Sequence, residues 1–205
     1  MRPVLQYPAI TLAFLLSIPC SAQRSGIGIK VGPQLNTYRA INIRTTLSPG
    51  FSTGIYFPIP AAARLEVQPE ILLSLMGTGF VEPDGDRSTI RSLYVHAPVS
   101  AKYFFSNEFC LQGGIQFGKL LVAHQTDANG VTDVRERIKS FDSGFILGAG
   151  YDLRSGLDLT VRYFSGMPTL FKGDDALFPR SRSLQFTIGK RLLQMKRPAS
   201  ARRRK

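Results

Sequence analysis

The sequence predicts an all-β fold: an eight-stranded antiparallel, up-and-down transmembrane β-barrel that follows an N-terminal signal peptide. Three observations lead there. Residues 64–75 (RLEVQPEILLSL) place Leu65, Val67, Pro69, Ile71, Leu73 and Leu75 on one parity, and Arg64, Glu66, Gln68, Glu70 and Ser74 on the other. A strand sends alternate side chains to opposite faces, so this segment is apolar on one side and charged on the other. Its length suits a tilted strand crossing a bilayer, ~9–11 residues. Segments of the same kind recur along the chain with turn residues between them, the additive signature of a membrane barrel. Finally, the chain opens like an exported protein and holds no later apolar run long enough for a spanning helix.

Residues 1–22 read as the signal. Arg2 supplies the positive start, and residues 9–18 (AITLAFLLSI) are apolar apart from Thr11 and Ser17. Pro19 breaks the run, and Cys20, Ser21 and Ala22 put small residues at −3 and −1 of a cut after Ala22. The core is too short to span as a helix. The alternatives are an N-terminal anchor, a buried core helix, or a lipoprotein signal acylated at Cys20; Pro19 before the cysteine fits the last poorly.

The eight strands follow in order. The first, 26–38, sets Ile27, Ile29, Val31 and Leu35 against Gly28, Lys30, Gly32, Gln34 and Asn36. The second, 50–57, alternates Phe51, Ile55 and Phe57 with Ser52, Gly54 and Tyr56. The third is 64–75. The fourth, 92–105, sets Leu93, Val95, Ala97, Val99, Ala101 and Tyr103 against Tyr94, His96, Ser100 and Lys102. In the fifth, 109–122, Phe109, Leu111, Ile115 and Phe117 oppose Cys110, Gln112, Gly114, Gln116 and Gly118. The sixth, 141–153, has Phe145, Leu147, Ala149 and Tyr151 on one side and Asp142, Gly144, Ile146, Gly148, Gly150 and Asp152 on the other. The seventh, 156–165, sets Leu157, Leu159, Val161 and Tyr163 against Asp158, Thr160, Arg162 and Phe164. The eighth, 182–192, sets Leu184, Phe186, Ile188 and Leu192 against Ser183, Gln185, Thr187, Gly189 and Arg191.

The connections alternate in length. Those at 57–63, 106–108 and 154–156 are tight; those at 39–49, 76–91, 123–140 and 167–181 are long and rich in Gly, Asp, Asn and Arg. Short periplasmic turns and long outer loops are the rule for outer-membrane barrels. An even strand count then leaves both termini in the periplasm. A soluble lipocalin-like barrel also has eight alternating strands, with the apolar face turned inward. The glycine-rich polar face, the nearly uncharged apolar face and the two-sided loop lengths favour the membrane form. This organisation divides the chain into a signal peptide, 1–22, a barrel, 23–193, and a basic tail, 194–205.

Several segments resemble those of the PorT-like outer-membrane β-barrel family. GIKVGPQLN (28–36) is similar to its opening strand, and LEVQPEILLSLMGTG (65–79) to its Q-P-E-L-x-Y-S-x-x-G strand. LYVHAPVSAKYF (93–104), FDSGFILGAGYDL (141–153) and LDLTVRYFSGM (157–167) resemble later strands in the same order. The resemblance implies a barrel in a Gram-negative outer membrane and, through the namesake's tie to type IX secretion, a secretion-related role. It implies no activity. The chain departs from the family in His96, where an acid is usual, in the lack of a terminal aromatic residue, and in its arginine-rich end.

Few residues carry chemistry. His96 and His124 have no metal-ligand spacing, and there is no G-x-S-x-G or C-x-x-C; Cys110 is the one cysteine left after the signal. His96 and Ser100, on one lumen parity, stand about 13 Å apart along a strand, too far for a hydrogen bond. No catalytic, cofactor-binding or metal site is expected. The inward-facing charges, Arg64, Glu66, Glu70, Lys102, Asp142, Asp158, Arg162 and Arg191, are expected to form a lumen charge network. Eight strands leave an interior just wide enough for side chains to fill, and buried charges must pair. The expected function is a structural or interaction role through the outer loops or the periplasmic tail. A narrow pore and a lipid-modifying enzyme are the alternatives. Expected partners are outer-membrane lipid and other envelope proteins, not nucleic acid.

The formal net charge of +12 is mostly a property of the tail. Lys196, Arg197, Arg202, Arg203, Arg204 and Lys205 lie in the last ten positions, and the rest of the mature chain carries only +5. Export argues against nucleic acid as the tail's partner, and no aromatic residue is interleaved for base stacking. The tail is expected to be disordered when free and to make weak, salt-sensitive contact with an acidic surface, each basic residue contributing about 1 kcal/mol near an anionic membrane; a solvated extension with no partner is the alternative. Deleting residues 197–205 should leave the barrel folded and heat-modifiable on gels while weakening its association with anionic vesicles. Unchanged vesicle association at low salt would dispose of this role.

Overall fold

The computed structural model describes residues 26–39, 44–81, 87–127, 130–136, 138, 140–167 and 180–194. The signal segment 1–22 and the tail beyond Gln194 lie outside them. Eleven strands run in chain order: β1 (Gly26–Arg39), β2 (Arg44–Thr46), β3 (Ser48–Tyr56), β4 (Ile59–Ala62), β5 (Leu65–Val81), β6 (Arg87–Phe104), β7 (Phe109–Asp127), β8 (Gly130–Asp133), β9 (Phe141–Asp152), β10 (Leu157–Gly166) and β11 (Arg180–Gln194). Eight of them close a ring of antiparallel neighbours in the order β1, β3, β5, β6, β7, β9, β10, β11 and back to β1. The seam zips from Gly26 opposite Gln194 to Arg39 opposite Arg180. Gln194, expected to open the tail, thus ends the last strand.

The three other strands are short extensions of this ring. β4 continues β3 past Pro58 and pairs with the start of β5; β2 pairs with the far end of β5; β8 folds back on β7. The three connections expected to be tight are short and lie together. At one end lie Ala63–Arg64, residues 105–108 and residues 153–156. Ser106 Oγ accepts the backbone N–H of Phe109 at 2.9 Å, which fixes the second of these turns. Gly156 adopts φ 83°, a conformation that only glycine takes without strain, in the third.

The pleat decides what each face meets. Ile29, Phe51, Ile71, Leu111, Phe145, Leu159, Val161 and Phe186 are exposed on the outside of the ring. Their chain neighbours Lys30, Ser52, Glu70, Gln112, Thr160, Arg162 and Gln185 are buried inside. A soluble barrel would reverse these faces; here the outer surface is an apolar band suited to lipid. Aromatic rings border it, with Tyr103, Phe105 and Phe109 stacked edge-on or tilted at the short-turn end. Phe117 and Phe141 stack at 6.1 Å toward the other end. So small a ring bends its strands sharply. A Cβ on Gly32 would lie 1.8 Å from the Phe186 carbonyl oxygen, so this crossing of β1 and β11 tolerates only glycine.

The long connections are shorter than expected. β5 continues to Val81 and β6 begins at Arg87, so most of 76–91 is paired ribbon; β7 likewise reaches Asp127 and turns into β8. These ends rise past the apolar band, where no lipid imposes alternation, so the period-2 signal fades while hydrogen bonding continues.

Val161 is outward-facing and 44 % exposed, with its neighbours on both flanking strands paired in register. Val161→Arg should cost about 2–4 kcal/mol in unfolding titrations of vesicle-reconstituted protein. An unchanged midpoint would mean that this wall does not face lipid.

Candidate functional site

The chemistry of this chain is concentrated in the lumen. Glu70 on β5 is its centre. Arg162 on β10 donates Nη2 to Glu70 Oε1 at 2.7 Å and Nη1 to Oε2 at 3.1 Å, a two-pronged contact. Lys30 Nζ reaches the same Oε1 at 3.0 Å and Gln68 Nε2 at 2.5 Å. In the ring, β5 and β10 stand opposite each other, so this contact crosses the full width of the barrel. Arg162 Nη2 also donates to Gln112 Oε1 on β7.

A second cluster lies toward the short-turn end. Lys102 on β6 donates to Asp158 Oδ2 at 2.9 Å and to Asp152 at 3.3 Å; Thr160 Oγ1 holds the other Asp158 oxygen at 2.7 Å. Arg191 on β11 lies 3.5 Å from Glu66 and 3.7 Å from Asp152. The upper cluster carries two cations and one carboxylate, the lower two cations and three carboxylates. Each is unbalanced by one charge and together they are neutral. Tyr56 sits between them, its ring against Gly28, where a Cβ would meet it at 2.3 Å, and Lys30 Nζ lies 5.0 Å from the ring centre. Below the lower cluster, a cavity of about 600 Å³ opens at the short-turn end, lined by Tyr56, Glu66, Asp152, Asp158 and Arg191.

Toward the long-loop end an apolar cluster lines part of the lumen. Met76, Tyr94 and Leu120 face inward and pack with Ala123 and with Val134, only 2 % exposed, from the connection after β8. Ile90 and Ile138 pack against this cluster. The Leu120 N–H donates to the Ser140 carbonyl, and the Val134 N–H to that of Ala123, which tie the connection down.

Of the expected network, Glu66, Glu70, Lys102, Asp158, Arg162 and Arg191 are brought together. Arg64 is not: it is exposed in the turn before β5, where the strand has not yet begun and no pleat directs its side chain inward. Asp142 stands apart, taking a short hydrogen bond from the Ser181 hydroxyl. Lys30 and Asp152 belong to the network but were absent from the expected set. Both lie on the polar parity of their strands, so parity alone would have found them. His96 pairs with Ser74 on the neighbouring strand, Nδ1 to Oγ 3.0 Å, rather than with Ser100. Its ring stacks on Tyr94 at 5.4 Å and is 1 % exposed. Among the described residues its Nε2 has no partner, so none of their carboxylates orients the ring as hydrolytic triads require.

Residues 20–172 match the outer membrane protein beta-barrel domain. The chain belongs to that family. It is therefore a small β-barrel of a Gram-negative outer membrane. Among curated proteins, none matches it. Solved structures of similar fold include Ail, the attachment invasion locus protein of Yersinia pestis, at 15% identity, covering 82% of this chain and 99% of that one, with a TM-score of 0.48. Neisserial surface protein A shares 14% identity over 83% of this chain and 99% of its own, at a TM-score of 0.47. The outer membrane enzyme PagL shares 13% over 80% and 99%, at 0.45.

Truncating Glu70 would leave Lys30 and Arg162 facing each other without a counter-charge. Glu70→Ala should destabilise the barrel by about 3–5 kcal/mol in vesicle unfolding titrations. A loss below about 1 kcal/mol would mean that water solvates these cations.

Proposed function

We propose that this protein is a plugged outer-membrane barrel acting as a structural or interaction module, presenting its long-loop end to partners outside the cell. The observation that carries this reading is the double closure of the lumen. The Glu70–Arg162 contact spans the ring, and the apolar cluster around Met76 and Val134 packs into one side of it toward the long-loop end. An ion would have to break the paired charges of the first layer to pass. The working surface is then what projects beyond the lipid: the extended ends of β5, β6 and β7 with β8.

The same features weigh against the alternatives. A lipid-modifying enzyme needs its catalytic groups where a lipid can reach them, whereas His96 and Ser74 are enclosed in the lumen. The PorT-like motif order supports a secretion-related role for the module, with the signal peptide at 1–22, both termini periplasmic, and the tail close to envelope partners there.

In planar bilayers the purified protein should give no discrete openings; reproducible unitary steps would replace this reading with the pore. Orientation has its own test. Arg135, exposed after β8, should be cut when intact cells are treated with trypsin. Cleavage only after the outer membrane is opened would reverse the assignment of the two ends.

A further inference from the structure

The wall of the barrel is incomplete at one place. β3 and β5 are paired from Tyr56 opposite Glu70 to Phe51 opposite Leu75, and β2 takes up β5 again with Thr46 opposite Gly79. Between them, residues 47–50 and Met76–Thr78 share no register. Pro49 has no N–H to offer a ladder there. The backbone carbonyls of β5 that lose their strand partner are satisfied by side chains instead. Gln34 Nε2, from the lumen, donates to the Leu75 oxygen at 3.0 Å, and Thr78 Oγ1 to that of Gly77 at 2.7 Å. Two of the β5 carbonyls along the opening are thus held by side chains rather than by a neighbouring strand.

What results is a cleft of about 390 Å³ facing the membrane side. Pro49, Phe51 and Leu75 form its apolar walls, Gly77 packs beside Ser48, and Met76 is its floor. Met76 also belongs to the apolar plug, so the floor of the cleft is the outer side of that packing. It lies where the apolar run of β5 ends. Arg91, opposite Gly77 on β6 and pointing outward, stands at its upper edge and makes no ion pair among the described residues.

We propose that this cleft seats an acyl chain of a phosphate-bearing membrane lipid, with Arg91 holding the phosphate. An apolar slot at the upper edge of the bilayer is filled better by hydrocarbon than by water. A peptide strand is a poor occupant, because Gln34 and Thr78 already occupy acceptors that an added strand would need. A cation one pair above the apolar floor matches the order of groups in such a lipid, chain below and phosphate above. The inference goes beyond the scaffold role and does not depend on which leaflet the long-loop end occupies.

The test uses the full-length mature protein in phosphatidylcholine vesicles doped with phosphatidic acid carrying a photoreactive diazirine on its acyl chain. After irradiation, labels should concentrate on Phe51, Leu75 and Met76. Labelling as strong on the opposite wall, at Leu159 and Val161, would overturn the site. Arg91→Gln should reduce labelling by phosphatidic acid about fivefold, the loss of one basic contact worth about 1 kcal/mol. It should leave labelling by uncharged diacylglycerol bearing the same diazirine unchanged, and Arg91→Lys should restore most of the difference. Equal labelling by both lipids in wild type and Arg91→Gln would remove the phosphate contact from the proposal. Gly77→Phe should block the slot; should it fail to give the heat-modifiable folded form, Thr89→Leu, at the rim of the same cleft, tests the same point in a folded protein. Undiminished labelling in a folded blocked variant would overturn the slot itself.

Discussion

Charge neutrality inside a ring of eight strands is the constraint on which the rest depends. Lipid covers the apolar outer face, and the pleat turns Lys30, Glu70, Lys102, Arg162 and their polar strand-mates inward. The space there is too narrow to solvate them, and an unpaired buried ion costs several kcal/mol. Glu70 answers most of that demand, binding Arg162, Lys30 and Gln68 at once. Because Arg162 comes from the opposite wall, the contact also fixes the bore. The surplus of one positive charge around Glu70 is met by the surplus carboxylate in the cluster below, so neither cluster is self-sufficient.

The apolar plug is held differently. At the upper edge of the band Met76, Tyr94 and Leu120 pack together inside the ring, and Val134 completes the packing from a connection instead of a strand. The barrel is thus closed electrostatically in its lower part and by packing in its upper part.

The ring, its eight principal strands and their facing were legible because each rests on a two-residue period repeated for about ten residues. β2, β4 and β8 were not, because three or four residues are too few to display a period. The upward extensions of β5, β6 and β7 escaped notice for the related reason that nothing enforces alternation outside the bilayer. Most of the network was readable from parity. Its pairings were not: Arg162 with Glu70, or His96 with Ser74, depend on strand stagger, which no single strand encodes. Arg64 was misjudged because parity was carried one residue past the point where the strand begins. The gap beside Pro49 left a trace in the sequence, a proline at a strand start, but whether it opens the wall depends on where β2 rejoins β5.

The connection between opposite walls bears on how such a chain reaches its fold. The two ends of the Arg162–Glu70 contact are 92 residues apart, and the seam joins the first strand to the last. Through most of synthesis and insertion, Glu70 has at hand only Lys30 and Gln68, and the two carboxylates of the β9–β10 hairpin have only Lys102. Distant pairings of this kind form late, after the chain entropy of closing large loops has been overcome. A partly built sheet therefore presents uncompensated charge on the side that must end up dry. Its lowest-energy course is to keep that side wet until β10 and β11 arrive, and to lose water and close the ring in one concerted event.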